Sequence, residues 1–450
     1  MSLKPLIAIC GTTGVGKSRL AVELALQLRG KVVNADAMQV YQGLDILTNK
    51  LPPSEQHGIE HVLMNFKKPG EQYVVGEWVR DASKEIDKAH EGGKVPIVIG
   101  GTAYWIHHLL FSNGLPAQAG PSKLSAAQPT PALQNALKTL PEELASLYNA
   151  LPPAAPLAKT EPDTAFALHN LLSHLDPTMA SRWHWRDTRK VLRNLEIIKE
   201  NGRAASEVVT DTYSASTERR YRSLIFWLYA EPDVLNVRLE QRVDDMLAQG
   251  LLDEMRSAYG VVRETPDFTL GVFQSIGFRE FYAYLNQEEK TDQLYETAVA
   301  EMKLNTIKYA RRQVKWIRNK LLPALENANE QDDQSSDTIY LLDATDLSAW
   351  EENVLSNAKT IAGAFLAGSP TPEPASISDT AKRMLTVASR STNPVDVMLT
   401  RRKLVCPVCT TEANRPVMLE EGREWEAHQR TSMHKAMQRK RDSSRVEEHS

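Results

Sequence analysis

The chain has 450 residues, 42% hydrophobic and 24% charged, which is ordinary for a folded globular protein; at ~150 residues per domain it has room for about three. Its 53 basic and 57 acidic residues leave a net charge of -4, which excludes a uniformly basic nucleic-acid coat but not a local basic groove. No apolar run reaches the ~20 residues of a membrane-spanning helix, and 3 cysteines are too few for a disulfide framework, so a reduced, intracellular setting is expected.

The first hundred residues alternate strand and helix. Leu6–Cys10 reads as a buried strand with no secretory signal before it, and Lys17–Leu28 as a helix. Lys31–Asn34 is a second strand, Tyr73–His90 a helix and Val95–Ile99 another buried strand. The expected fold class is α/β, a doubly wound parallel sheet, and the glycine loop Gly11–Ser18 between its first strand and helix makes it of the phosphate-loop NTPase kind. Pro116–Pro162 is rich in Ala, Pro and Ser and reads as an insertion; Ala165–Asn201 is strongly helical. Arg222–Tyr229 reads as a return to the sheet, and Val234–Met255 and Thr297–Leu322 as helices. Glu326–Asp337 and Gly368–Asp379 read as linkers around a short strand, Ile339–Leu342, and a helix, Leu347–Leu366. The expected domains are a core over 1–115 and 216–325, a helical insertion over 116–215, a linker region over 326–400, a finger over 401–440 and a charged tail over 441–450.

Gly11-Thr12-Thr13-Gly14-Val15-Gly16-Lys17-Ser18 fits G-x-x-x-x-G-K-[ST] between a strand and a helix. The glycines let successive N–H groups point inward, the helix N-terminus adds positive potential, Lys17 supplies a point charge and Ser18 a Mg²⁺ ligand. The loop indicates a polyphosphate ligand, not which one. Asp36 follows the second strand, at the ligand crevice of such a sheet; it is a Mg²⁺ ligand, a proton acceptor or a helix N-cap. Val95–Ile99 runs into Gly100-Gly101-Thr102 instead of a carboxylate. That weakens the case for an ATP-hydrolysing motor and suits a transferase from which diphosphate departs. A small-molecule kinase, which needs ATP, and a non-catalytic RNA-binding protein are the alternatives.

Lys303–Lys320 carries Lys303, Lys308, Arg311, Arg312, Lys315, Arg318 and Lys320 with no acid, and Leu304, Ile307, Val314, Ile317 and Leu321 at helical spacing opposite them. One face would pack and the other track phosphates. Arg182, Arg186, Arg189, Lys190 and Arg193 form a second basic cluster, with Trp183, His184 and Trp185 interleaved either to stack or to pack. Cys406-x₂-Cys409-x₁₈-His428-x₅-His434 reads as a Cys₂His₂ zinc site by ligand type, with a gap of 18 that exceeds the usual ~12 of DNA-reading fingers. Histidines six apart fall about 120° off register on an ideal helix, so the helix between them must distort. Cys10 is a core thiol.

GTTGVGKS, DAMQVYQGLDILTNK, VPIVIGGTAYW, RLEQRVDDMLAQGLLDEM, FQSIGF and YARRQVKWIRN occur in that order. Together they resemble the tRNA dimethylallyltransferases (tRNA isopentenyltransferases), in the eukaryotic form that ends in a matrin- or U1-type finger. The resemblance implies transfer of a dimethylallyl group from dimethylallyl diphosphate to N6 of the adenosine immediately 3′ of the anticodon. It implies Asp36 as general base and Thr102 at the reacting centre, with Arg242 on the diphosphate together with Gly11, Thr12, Thr13, Gly14, Val15, Gly16, Lys17 and Ser18. It places tRNA against Gln39, Arg189, Arg193, Lys308, Arg311, Arg312, Gln313 and Lys315, with Mg²⁺ on Ser18 and structural Zn²⁺ in the finger. A monomer is expected, cytoplasmic with mitochondrial and nuclear pools and no membrane partner. Three positions depart from the family: Ala37 where many members have Ser, Trp105 where Tyr is common, and Ile307 where many have Arg.

Overall fold

Residues Leu6–Cys10 carry no charged or hydrogen-bonding side chain apart from a thiol, so a strand built from them must be covered on both faces. The computed structural model, which describes residues 3–111, 128–214, 219–261, 268, 271–287, 290–331, 337–386 and 402–447, shows that cover. Strand β1 (Pro5–Gly11) splits by alternation between two apolar layers. Leu6, Ala8 and Cys10 join Trp78, Trp105, Ile225 and Trp227 on one side; Ile7 and Ile9 join Leu20, Ile97, Leu224 and Phe226 on the other. The remaining strands of this sheet are β2 (Gly30–Asn34), β3 (His61–Val62), β4 (Val95–Ile99), β5 (Arg222–Tyr229) and β6 (Thr338–Asp343). They lie in the order β3-β2-β4-β1-β5-β6, with every neighbouring pair parallel. The carboxyl ends of β2, β4 and β1 are therefore side by side, where open α/β sheets bind ligands. No described helix is long and apolar enough to cross a membrane.

The region 326–400 differs from the expected linker. The helix Leu322–Gln331 continues through its start, and Thr338–Asp343 pairs with β5 along six residues, from Leu224 opposite Thr338 to Tyr229 opposite Asp343. Four consecutive apolar residues, Ile339–Leu342, are enough for a buried parallel strand. The second expected linker is also ordered. The Tyr340 hydroxyl donates to the Pro372 carbonyl at 2.6 Å, and the helix Asp379–Leu385 buries Ala381 and Met384. Residues 332–336 and 387–400 lie outside the described residues.

Three expected helices break where local chemistry requires it. Pro177 interrupts Ala165–Asn201, giving Pro162–Leu175, Pro177–Arg182 and Thr188–Asn201. Asp176 caps the break, accepting the Met179 N–H at 3.1 Å and the Ser206 N–H at 2.7 Å. Val234–Met255 becomes Pro232–Ala248 and Leu251–Val261, with Gly250 between them at φ +99°. The expected Thr297–Leu322 becomes Asp292–Trp316, followed by a π-helical turn, Ile317–Leu321.

The chain divides into two compact units, 1–115 with 217–390 and 116–216 with 391–450. The first holds the sheet. In the second, Leu168, Leu171, Leu172, Leu195 and Ile198 form the core of the helical insertion. The hairpin of β7 (Lys403–Val405) and β8 (Met418–Glu420) and the helices Arg423–Arg430 and Ser432–Glu447 make the finger. The final helix runs through the expected boundary at 440, and residues 116–127 of the expected insertion lie outside the described residues.

Candidate active site

A phosphate loop needs its backbone amides turned inward, and Gly16 permits this at φ +89° on the end of the loop. A Cβ there would also come within 2.8 Å of the Trp350 ring. Trp350 lies in the stretch expected to be outside the core. It donates Nε1–H to Glu23 at 3.0 Å and carries the Arg19 guanidinium over its ring at 4.6 Å, so it backs the loop from the segment after β6. Lys17 donates to the Thr12 carbonyl at 2.6 Å. The Thr12 hydroxyl is buried with no hydrogen-bond partner, which suits a cradle completed by a ligand's oxygens. Arg242 comes from the helix Pro232–Ala248, whose Leu235 and Leu239 pack beneath Gly14.

Two cations share this site with one carboxylate. Burial pushes the Lys17 ammonium down from 10.5 to about 8; Asp36 opposes that shift and Arg242 adds to it. Burial also lowers the Arg242 guanidinium to about 10, again against the pull of Asp36. Cations depressed by desolvation are restored by a bound anion, so the arrangement favours a polyphosphate.

Asp36 caps no helix. Residues 37–40 form a bend and a turn, and Asp36 accepts the Met38 N–H through Oδ1 at 3.0 Å. Asn34 clamps the same residue, accepting its N–H at 3.0 Å and donating to its carbonyl at 3.1 Å. Thr102 Oγ1 accepts the Ala37 N–H at 3.1 Å, so the Gly-Gly-Thr turn after β4 holds the Asp36 loop. A Cβ on Gly100 would lie 2.1 Å from the Ala35 carbonyl oxygen, and one on Gly101 would lie 3.1 Å from Asp36 Oδ2. Only glycines allow the two strand ends to approach this closely. The sequence reading missed Tyr309, whose hydroxyl lies 3.8 Å from the same Gly101 position. Burial, then the Asp36 charge, push the pKa of its hydroxyl well above the usual tyrosine range. Its place one helical turn before Gln313 is the signal that could have found it.

The expected tRNA residues fall into different groups. Lys308, Arg311, Arg312 and Lys315 are exposed on one helix. Gln39 donates its amide to the carbonyls of Thr48 and Asn49, both at 3.2 Å. Arg189 is exposed. Arg193 is paired with Glu196 at 3.0 Å and Glu200 at 3.1 Å, acids one and two turns along its own helix. Gln313 is buried and its amide is engaged inside the protein. On the apolar stripe Ile307, Ile317 and Leu321 are buried, but Leu304 is 50% exposed, and Lys303 pairs with Asp244 at 2.7 Å.

In the second unit Cys406, Cys409, His428 and His434 place their ligand atoms within 4.8 Å of one another. Both cysteine sulfurs lie 3.5 Å from His434 Nδ1, and His428 Nε2 lies 3.1 Å from it. Tetrahedral zinc with its usual bond lengths requires about 3.5 Å between sulfur and nitrogen, so these residues fit the ion. The off-register histidines are reconciled by ending one helix at Arg430 and starting the next at Ser432 across an extended Thr431. The finger leans on the insertion: Trp185 donates Nε1–H to the Pro416 carbonyl at 2.9 Å and packs with Ala165 and Met418. Trp185 therefore packs. The Arg182 guanidinium and the Lys190 ammonium lie 4.6 and 4.5 Å from the Trp183 ring. Stripping zinc with a chelator should expose the amides of β7 and β8 and those beside Trp185 together in hydrogen exchange. Trp185→Ala should cost the unit about 3–5 kcal/mol; loss of protection in the finger alone would refute the shared packing.

Residues 39–320 match the family described as IPP transferase. A tRNA dimethylallyltransferase of Schizosaccharomyces pombe is 35% identical over 98% of this chain and 96% of its own length. The Homo sapiens tRNA dimethylallyltransferase is 34% identical over 82% of this chain and 76% of its own. A crystallographically determined eukaryotic dimethylallyltransferase acting on tRNA superposes with a TM-score of 0.75 at 30% identity, covering 99% of this chain and 98% of that one.

Proposed function

Because the chain belongs to the IPP transferase family, we propose that it transfers a dimethylallyl group from dimethylallyl diphosphate to N6 of the adenosine immediately 3′ of the anticodon in tRNA. The observation that carries this reading is the single carboxylate, Asp36, set against the Gly-Gly-Thr turn within electrostatic reach of Lys17 and Arg242. An adenine amine is a weak nucleophile. It gains from a base that accepts its proton as the N6–C1 bond forms and the C1–O bond to diphosphate breaks. Asp36 is that base. The phosphate loop, Lys17 and Arg242 hold the negative charge that builds on the leaving diphosphate. Ser18, near the start of the helix after the loop, would hold Mg²⁺ together with diphosphate oxygens, and the ion would neutralise further charge.

The adenine must leave the stacked anticodon loop to reach this site, at a cost of a few kcal/mol. The exposed basic helix face around Lys308, Arg311, Arg312 and Lys315 supports a phosphate-contacting role in offsetting that cost. The enzyme acts as a monomer, and its zinc is structural. The kinase alternative is disfavoured because the strand β4 ends in Gly100-Gly101-Thr102 and supplies no second carboxylate for nucleotide-bound Mg²⁺. The test incubates the protein with labelled dimethylallyl diphosphate, Mg²⁺ and unmodified tRNA in the absence of ATP. Label should enter the anticodon loop; a folded protein that transfers none, or that needs ATP, overturns the assignment.

A further inference from the structure

Gln313 lies at the end of the basic helix, and its side chain reaches two other elements. Its Oε1 accepts the Thr13 N–H of the phosphate loop at 3.0 Å. Its Nε2 donates to the Gly101 carbonyl at 2.9 Å. The partners lie 300 and 212 residues away in sequence, and the residue is 5% exposed. A Cβ built on Gly101 would lie 2.6 Å from Gln313 Nε2 and 3.1 Å from Asp36 Oδ2, so the amide sits beside the carboxylate as well. A side-chain amide offers a donor and an acceptor in one planar group of this reach. Glutamate would keep the acceptor and lose the donor.

The same helix carries exposed Lys308, Arg311, Arg312 and Lys315. One rigid element thus has the basic face on its outside and, through Gln313, a grip on the diphosphate loop and on the turn that holds Asp36. A nucleic acid that shifts or stiffens this helix must move or stiffen Thr13 and Gly101 with it. Two ligands that order the same element bind each other's complex more tightly, and the effect is reciprocal.

We propose that Gln313 is a positioning residue that couples tRNA binding to diphosphate-donor binding, the basic helix acting as the shared element. The inference rests on the dimethylallyl-transfer reading. Gln313 touches neither substrate; it sets the loop amide and the glycine turn that do.

The test measures the dissociation constant of dimethylallyl thiolodiphosphate, which does not transfer, on the full-length protein with Mg²⁺. It is measured with and without a saturating anticodon stem-loop, and the stem-loop is then titrated with and without the analogue. In the unmodified protein each ligand should tighten the other by about fivefold or more, the usual range of coupling between sites. In Gln313→Leu both ligands should still bind, and the coupling factor should fall to about one. Gln313→Glu should lose it equally, because the Gly101 carbonyl then has no donor; it is also the variant to read if the leucine protein does not fold. Arg311→Ala serves as the control: its stem-loop affinity should fall while the coupling factor stays. A wild-type factor of one, or an unchanged factor in both Gln313 variants, overturns the proposal. Label transfer by the wild-type protein to the same stem-loop reports separately on the assigned reaction, so the two failures are distinguishable.

Discussion

Asp36→Asn should lower single-turnover transfer by about 10²–10⁴-fold, the usual contribution of a positioned base, while tRNA affinity stays within about twofold. Asparagine keeps the shape and the oxygen that accepts the Met38 N–H at 3.0 Å, so the turn it stabilises remains. The clamp from Asn34 and the Thr102 contact to Ala37 involve the backbone of this loop and are not altered. What disappears is the group that can take the N6 proton. Single-turnover rates, together with filter binding of the stem-loop, separate the two roles. An equal fall in rate and in tRNA affinity would assign Asp36 to binding. Asp36→Ala removes the Met38 contact as well, so any loss beyond that of Asn measures what the turn contributes.

The carboxyl-end cluster was readable because each part sits next to a strand with an unambiguous apolar pattern. Leu6–Cys10, Lys31–Asn34 and Val95–Ile99 fix the positions of the glycine loop, Asp36 and Gly100-Gly101-Thr102 at one end of the sheet. β6 was harder to place, because Ile339–Leu342 is only four residues long and follows a polar stretch. Nothing local announces that it completes a sheet begun more than 300 residues earlier. Trp350, which backs Gly16, was lost with it. The internal partners of Gln313 and Arg193 were hidden in a different way. The basic cluster pointed to Arg193 and the family resemblance to Gln313 as tRNA contacts, yet whether a polar side chain faces solvent or a partner depends on what the fold brings opposite. For Arg193 the partners, Glu196 and Glu200, were within two turns and could have been seen by helical spacing. For Gln313 they were hundreds of residues away, beyond any periodicity.

Lys17→Met should lower turnover by about 10²–10³-fold, the scale for losing one preorganised contact to developing negative charge, and should also remove a pH dependence. In the ligand-free protein burial holds the Lys17 ammonium at about 8. Diphosphate beside it favours the charged form, so its value in the complex is higher than in the free protein. Below about pH 8 both states are protonated and affinity is constant on this account. Above it the free protein has lost the proton that the complex retains. Binding must then take a proton up, and affinity falls by up to about tenfold per pH unit until the value of the complex is reached. Arg242, at about 10, titrates too high to contribute to the onset. The dissociation constant of dimethylallyl thiolodiphosphate, followed from about pH 7 to 9, should therefore rise in the unmodified protein and stay level in Lys17→Met, since methionine has no proton to exchange. A level profile in the unmodified protein would mean that Lys17 is already as solvated as a surface lysine. A slope that persists in the variant would move the titrating group elsewhere in the cradle.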